Sequence, residues 1–254
     1  MKSFMHLVSN EHMKIFKRQK IWVLFGLIAV MNIVVSLFFK YLFTGIVFTF
    51  WDYIQVSSYL LVAVQLMCIM IAGEIVSSEF EKGTIKLLFI RPVKRVKVLA
   101  SKYTMVLYIS LLLVAFQLFM SVILGLIFYA GTFLTIDQTV LFGLGGYLFS
   151  FIEILVMGTI AFCLSAVTRS SVFSIAVPIF LLFTSRAVVS ILEHNHYAAG
   201  KYLLFSNTNL SPYFFGQPLF DGMTLTFSII NILVHMGLLG LIAVLFFTKR
   251  DVHV

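Results

Sequence analysis

Six segments of this sequence are apolar over about 20 residues or more, and that pattern decides what the chain can fold into. They are residues 21–43, 53–73, 103–130, 139–167, 171–190 and 225–248. A helix of about 20 residues spans the ~30 Å hydrocarbon core of a bilayer, so each segment is long enough to cross one. Apolar residues make up 61% of the chain and charged residues 11%, with mean hydropathy +1.07. Soluble domains sit near about 45–50% apolar and about 25% charged, and no soluble fold of this length could bury the surplus. The solvent is therefore lipid, and the expected fold class is all-α integral membrane with six transmembrane helices.

The net charge of +8 would suit nucleic acid if it were spread over one surface. Instead the cations collect between the apolar runs, which is how membrane orientation is written, so nucleic acid is not an expected partner. With a cytoplasmic N-terminus, residues 1–20, 74–102, Arg169 and the last residues hold fifteen of the eighteen Lys and Arg. Only Lys40, Arg186 and Lys201 fall outside or at outer helix ends. Both termini are thus expected to be cytoplasmic. Residues 1–20 carry Lys2, Lys14, Lys17, Arg18 and Lys20 without a short apolar core and cleavage site, so the first span is expected to act as an uncleaved insertion signal.

Residues 1–20 read as an amphipathic interfacial helix ahead of a six-span domain, residues 21–254. Phe4, Met5, Val8, His12, Ile15 and Phe16 share one face, while Leu7, Glu11 and Met13 blur it. A basic amphipathic helix beside a span lies among headgroups, where its cations meet anionic lipid. The external loop, residues 191–224, is rich in Tyr and Phe, which suggests short helices at the outer interface. Cys68 and Cys163 lie inside apolar runs as packing residues, and His194 and His196 as solvated surface histidines, so no disulfide framework and no metal site is expected.

The cytoplasmic loop, residues 74–102, carries the most information. The second span runs on as a polar helix through Glu79 and Glu81, which Gly83 can terminate. Thr84 can then cap a short amphipathic helix bearing Ile85, Leu88 and Phe89, which Pro92 halts. Such an element suits docking into a groove on a soluble partner. The run Glu79-x-Glu81-Lys82-Gly83-Thr84, then Leu87-Leu88, Arg91-Pro92 and Arg95, ending at Lys102, resembles the first cytoplasmic loop of ABC-2-type permeases. The six spans, the cytoplasmic termini, the N-terminal arm and the last external loop match that family's layout. One departure is Arg91, where a small or polar residue is common before the proline.

The resemblance implies an ABC-2, type V exporter-like architecture and a non-catalytic half-transporter in the bacterial plasma membrane. Two copies, or one copy and a related permease, would pair in the bilayer above two cytoplasmic ABC ATPase subunits. Glu79, Glu81, Gly83, Thr84, Leu87, Leu88, Arg91, Pro92 and Arg95 would couple to the ATPase. The chain lacks a G-x-x-x-x-G-K-[ST] phosphate loop, so ATP and Mg would be held by the partner and no cofactor by this chain. Family analogy extends the expected cargo to amphipathic or hydrophobic substrates, peptides above all, including phenol-soluble modulins and antimicrobial peptides.

Within the spans, Asn32, Gln65, Gln117 and Glu153 fall near the middle of spans one to four, and Asn231 and His235 near the middle of span six. A carboxylate at that depth costs ~2.5–3.5 kcal/mol, so Glu153 needs a proton, a partner or water. The residue expected to meet it is His235. The amides read either as interhelical hydrogen-bond glue or as part of a transport pathway. The alternative function is an ATP-independent channel or secondary transporter, disfavoured because the halves show no internal repeat and no paired broken spans. A membrane-embedded enzyme is disfavoured by the absence of His-Glu-x-x-His and Gly-x-Ser-x-Gly.

Overall fold

The computed structural model describes residues 2–42, 48–85, 93–133 and 138–249. Among these every regular element is helical: α1 (Lys2–Phe16), α2 (Gln19–Leu42), α3 (Phe50–Ser58), α4 (Leu61–Glu81), α5 (Arg95–Tyr129), α6 (Gln138–Thr168), α7 (Ser171–His194), α8 (Leu204–Thr208), α9 (Pro212–Phe215) and α10 (Leu225–Lys249). Single 3₁₀ turns sit at Ala130–Thr132 and Ala198–Tyr202. Six helical segments are long and apolar enough to cross a membrane: α2, the α3–α4 pair, α5, α6, α7 and α10. The chain is a multi-pass membrane protein.

The core is the seam between α4 and α6. The most apolar windows of α3–α4 and α6 are 61% and 56% buried, against 11% for α10, which leaves α10 at the periphery of the bundle. Small residues let the central helices approach closely, and their hydroxyls bond across the gap. The Gly73 carbonyl accepts from Ser77 Oγ and Ser165 Oγ, both at 2.6 Å, while Ser165 Oγ accepts from the Ser77 amide at 2.9 Å. On the far side of Gly73 an added Cβ would stand 2.8 Å from Ile175 Cγ1 and 3.0 Å from the Ser174 carbonyl oxygen of α7. Gly143 and Gly146 of α6 do the same for α3, where Cβ atoms would meet Ile54 and the Ser58 hydroxyl.

The second span differs from the single run expected over residues 53–73. It begins at Phe50 behind a capping box, in which Thr49 Oγ1 accepts from the Asp52 amide and the Asp52 carboxylate accepts from the Thr49 amide. It then breaks at Tyr59–Leu60 before restarting as α4. Ser57 and Ser58 donate back to the carbonyls of Ile54 and Gln55, a competition that weakens a helix locally. The Ser57 carbonyl is taken by Gln117 Nε2 of α5 at 3.1 Å, so the break leaves that acceptor satisfied inside the bundle. The third span also starts earlier than expected, since α5 is helical from Arg95 rather than from residue 103.

Residues 191–224 do form short helices, pinned to α10 by Asn207, which is fully buried. Its Oδ1 accepts from Ser228 Oγ at 2.7 Å, and Tyr213 Oη lies 2.6 Å from the same hydroxyl. Pro178 sits inside α7 without ending it.

Replacing Gly73 by Val should force α4 and α7 apart and cost about 1–3 kcal/mol, the usual range for overpacking. A lowered thermal unfolding midpoint in detergent, with Gly26→Val near wild type because an added Cβ there has nothing within 4 Å, is the expected result.

Candidate functional site

The loop resembling a coupling segment is flanked by side chains that each reach a different helix. α4 ends at Glu81, and Gly83 follows at φ +67°, a left-handed conformation suited to glycine. Thr84 Oγ1 contacts the Glu79 carbonyl at 3.4 Å. Leu87, Leu88, Arg91 and Pro92 lie outside the described residues, as does most of the short helix expected after Thr84.

Glu79 and Lys102, the first and last residues of the loop motif, meet: Lys102 Nζ is 2.8 Å from Glu79 Oε1. The Lys102 side chain has no solvent exposure, so its ammonium needs full internal compensation. It receives this from Glu79, from Glu11 Oε2 of α1 at 3.0 Å and from the Ile75 carbonyl at 3.2 Å. Lys14 closes the ring, with Nζ 2.9 Å from Glu79 Oε1 and 3.0 Å from Glu11 Oε1. Burial pushes the Glu11 carboxyl up, but the Lys102 and Lys14 charges outweigh it and hold it below the ordinary value of 4.5. Burial lowers Lys14 in turn, but the Glu11 and Glu79 carboxylates outweigh it and hold it above 10.5.

This ring corrects the expected face of α1. The residues that blur the amphipathic stripe, Leu7 and Glu11, are the buried ones, and Met5 is exposed. α1 packs against the start of α5 as well as α2, rather than resting only on headgroups. The signal in the sequence was the pairing itself: one acid in a basic arm and one cation at the mouth of a span.

Two further motif residues join helix ends. Glu81 Oε1 accepts from the Ser171 amide at 2.7 Å and from its hydroxyl at 2.6 Å, placing a carboxylate on the first turn of α7, where the helix dipole favours it. Arg95 Nη1 donates to the Thr248 carbonyl at 3.0 Å in the last turn of α10. Arg169, in the tight α6–α7 turn at φ 58°, stacks 4.4 Å over the Phe80 ring.

Inside the membrane the structure divides the expected polar residues into separate sites. Asn32 and Gln117 form a reciprocal amide pair at 2.7 and 3.2 Å. Ser121 Oγ donates to Asn32 Oδ1, and the Tyr147 hydroxyl bridges Ser121 and Ser57 at 2.7 and 3.0 Å. This closed network ties α2, α3, α5 and α6 and fits the glue reading. Gln65 and Glu153 are elsewhere, lining a cavity of about 500 Å³ between α3–α4, α6, α7 and the following loop. Glu153 Oε2 is paired with Arg186 Nη2 at 3.4 Å, not with His235, whose Nδ1 meets the Asn231 carbonyl at 2.9 Å. His235 does not line that cavity. Depth alone pairs the two residues; α7 brings Arg186 to Glu153 instead. Among the described residues no group of His, Cys, Asp and Glu could hold a metal.

The chain belongs to the family described as "Protein of unknown function (DUF2705)", whose model matches residues 16–253. It is 32% identical over 246 residues to "Uncharacterized membrane protein YdbK" of Bacillus subtilis (strain 168), covering 95% of this chain and 100% of that one. It is 36% identical over 219 residues to "Uncharacterized protein YhcI" of the same organism, covering 81% of this chain and 70% of that one.

Removing Lys102 takes away the buried cation of the ring and leaves two carboxylates to share the half-exposed Lys14. Lys102→Met should destabilise by about 3–5 kcal/mol and speed tryptic cleavage at Lys17 and Arg18 at least tenfold. Adding Glu11→Gln and Glu79→Gln should recover much of the loss. The Glu11 contribution is complete above its ordinary 4.5 and is lost as pH falls through its lowered native value, whereas that of Lys14 is complete below 10.5 and is lost as pH rises through its raised one. Docking of α1 should therefore hold between those values and fail below the acid one. Trp22, whose indole donates to the Phe16 carbonyl at 3.1 Å, reports this by fluorescence in a Trp51→Phe background.

Proposed function

We propose that this chain is the membrane-spanning, non-catalytic subunit of an ATP-driven exporter of the ABC-2 type. Two permease chains would pair in the bacterial plasma membrane with both termini cytoplasmic, above two ATPase subunits that bind ATP and Mg. The observation that carries the reading is the wiring of the motif loop. Glu79, Glu81, Arg95 and Lys102 bond to α1, α5, α7 and α10, so a force applied to the loop reaches four helices through charged contacts. A permanent pore has no need of such wiring at a cytoplasmic loop; a coupled permease does. Packed elements with two discrete arrangements transmit displacement in this way.

The cargo class implied by the resemblance to ABC-2-type permeases is an amphipathic or hydrophobic substrate, with peptides first. An ATP-independent channel or secondary transporter is the competing reading. Co-purification with the ATPase encoded beside the permease separates the two. Wild type should hold the ATPase stoichiometrically in lipid nanodiscs, and the double variant Gly83→Pro/Leu88→Asp should lose it at least tenfold while remaining monodisperse. If wild type captures no ATPase and instead supports flux in liposomes alone, the channel or carrier reading stands.

A further inference from the structure

The cavity beside Glu153 is built around a negative charge. The Glu153 side chain is 19% exposed, whereas its Arg186 partner is 72% exposed and touches it at 3.4 Å through one nitrogen. The carboxylate is thus part of the wall, and the guanidinium is a loosely held occupant that another cation can displace. Exposed Glu193 adds a second carboxylate to the lining, about two helical turns along α7 from Arg186. Gln65, 3% exposed, also lines the cavity, and its Nε2 has no hydrogen-bond partner among the described residues. That nitrogen has essentially no accessible surface, so Gln65 closes the inner wall of the cavity rather than presenting a donor to it. The remaining wall mixes apolar side chains, Phe149, Met157 and Leu182 among them, with polar ones such as Ser150, Ser185, Thr208 and Asn209.

These features together ask for a ligand with an ammonium for Glu153 and an apolar portion to lie against Phe149, Met157 and Leu182. We propose that the cavity is a binding site for the lysine side chain of an apolar or amphipathic peptide, its ammonium taking the place of Arg186 on Glu153. The inference rests on the exporter reading only for its consequence, that such a peptide is cargo. Binding itself needs no ATPase, so the two can fail separately.

The test uses the purified full chain in phosphatidylcholine nanodiscs and a photoreactive lauroyl-lysine methylamide, with crosslinked peptides mapped by mass spectrometry. Labelling should fall on α6 and α7 at the cavity and be protected by excess unlabelled lauroyl-lysine methylamide. The lauroyl-norleucine analogue, which lacks the ammonium, should protect at least about tenfold less well. Glu153→Gln should cut protected labelling about tenfold, Glu153→Asp should keep it within about threefold, and Arg186→Gln should leave it equal or stronger. Equal protection by the norleucine compound in the wild-type protein, a comparison independent of any variant's folding, would reduce the site to an apolar crevice and overturn the proposal. So would undiminished protected labelling of Glu153→Gln.

Discussion

An ammonium removed from water must find its counter-charge within the protein, and the Lys102 ammonium, with no exposure at all, imposes that condition on everything around it. Glu79 has to be carried far enough along α4 to reach it, which sets the length of that helix beyond its apolar stretch. α5 has to be helical before the membrane begins, which is why it starts at Arg95. Residue Glu11 has to face inward, which fixes the rotation of α1. One buried charge therefore specifies the relation of three helices, although burying the same volume of apolar side chains would give comparable or greater stability. Charge pairs of this kind give register rather than energy.

The polar chemistry inside the bundle follows two different rules. Around Asn32 and Gln117 the amides and hydroxyls answer one another, and the Ser57 carbonyl, which also accepts from the Leu60 amide at the break in the second span, is included. Such closure rigidifies. Around Gln65 and Glu153 the accounts stay open: one amide donor without an acceptor, one carboxylate with a distant and exposed partner. The same residue types thus serve as scaffold in one half of the bundle and as a receptive surface in the other. What separates them is the number of groups within reach, not their identity.

Much of the fold was legible because lipid demands length and apolarity, and both are written linearly in the sequence. The six spans, the stop at Gly83 and the short helices after residue 191 all follow from local rules. What could not be read were facts of facing. Glu11 looked like a flaw in an amphipathic stripe because its partners lie in distant spans. The break at Tyr59–Leu60 was hidden because the Ser57 and Ser58 hydroxyls that turn back onto Ile54 and Gln55 weaken a helix without leaving a mark in its periodicity. Depth alone pairs Glu153 with His235, whereas the rotation of α7 that brings Arg186 to the cavity decides for Arg186. Periodicity gives a helix its faces but not its neighbours.

The ring that docks α1 also has a consequence in time. Lys102 is made 91 residues after Glu11. At roughly 5–20 residues per second, that is a delay of about 5–20 s during synthesis. Throughout it the buried acid of the N-terminal arm has only Lys14 of its own helix as a partner, while the first two spans are being made. The arm is therefore a latch that closes only once the third span has begun to enter the bilayer, so the moment of its docking marks completion of the first half of the membrane domain.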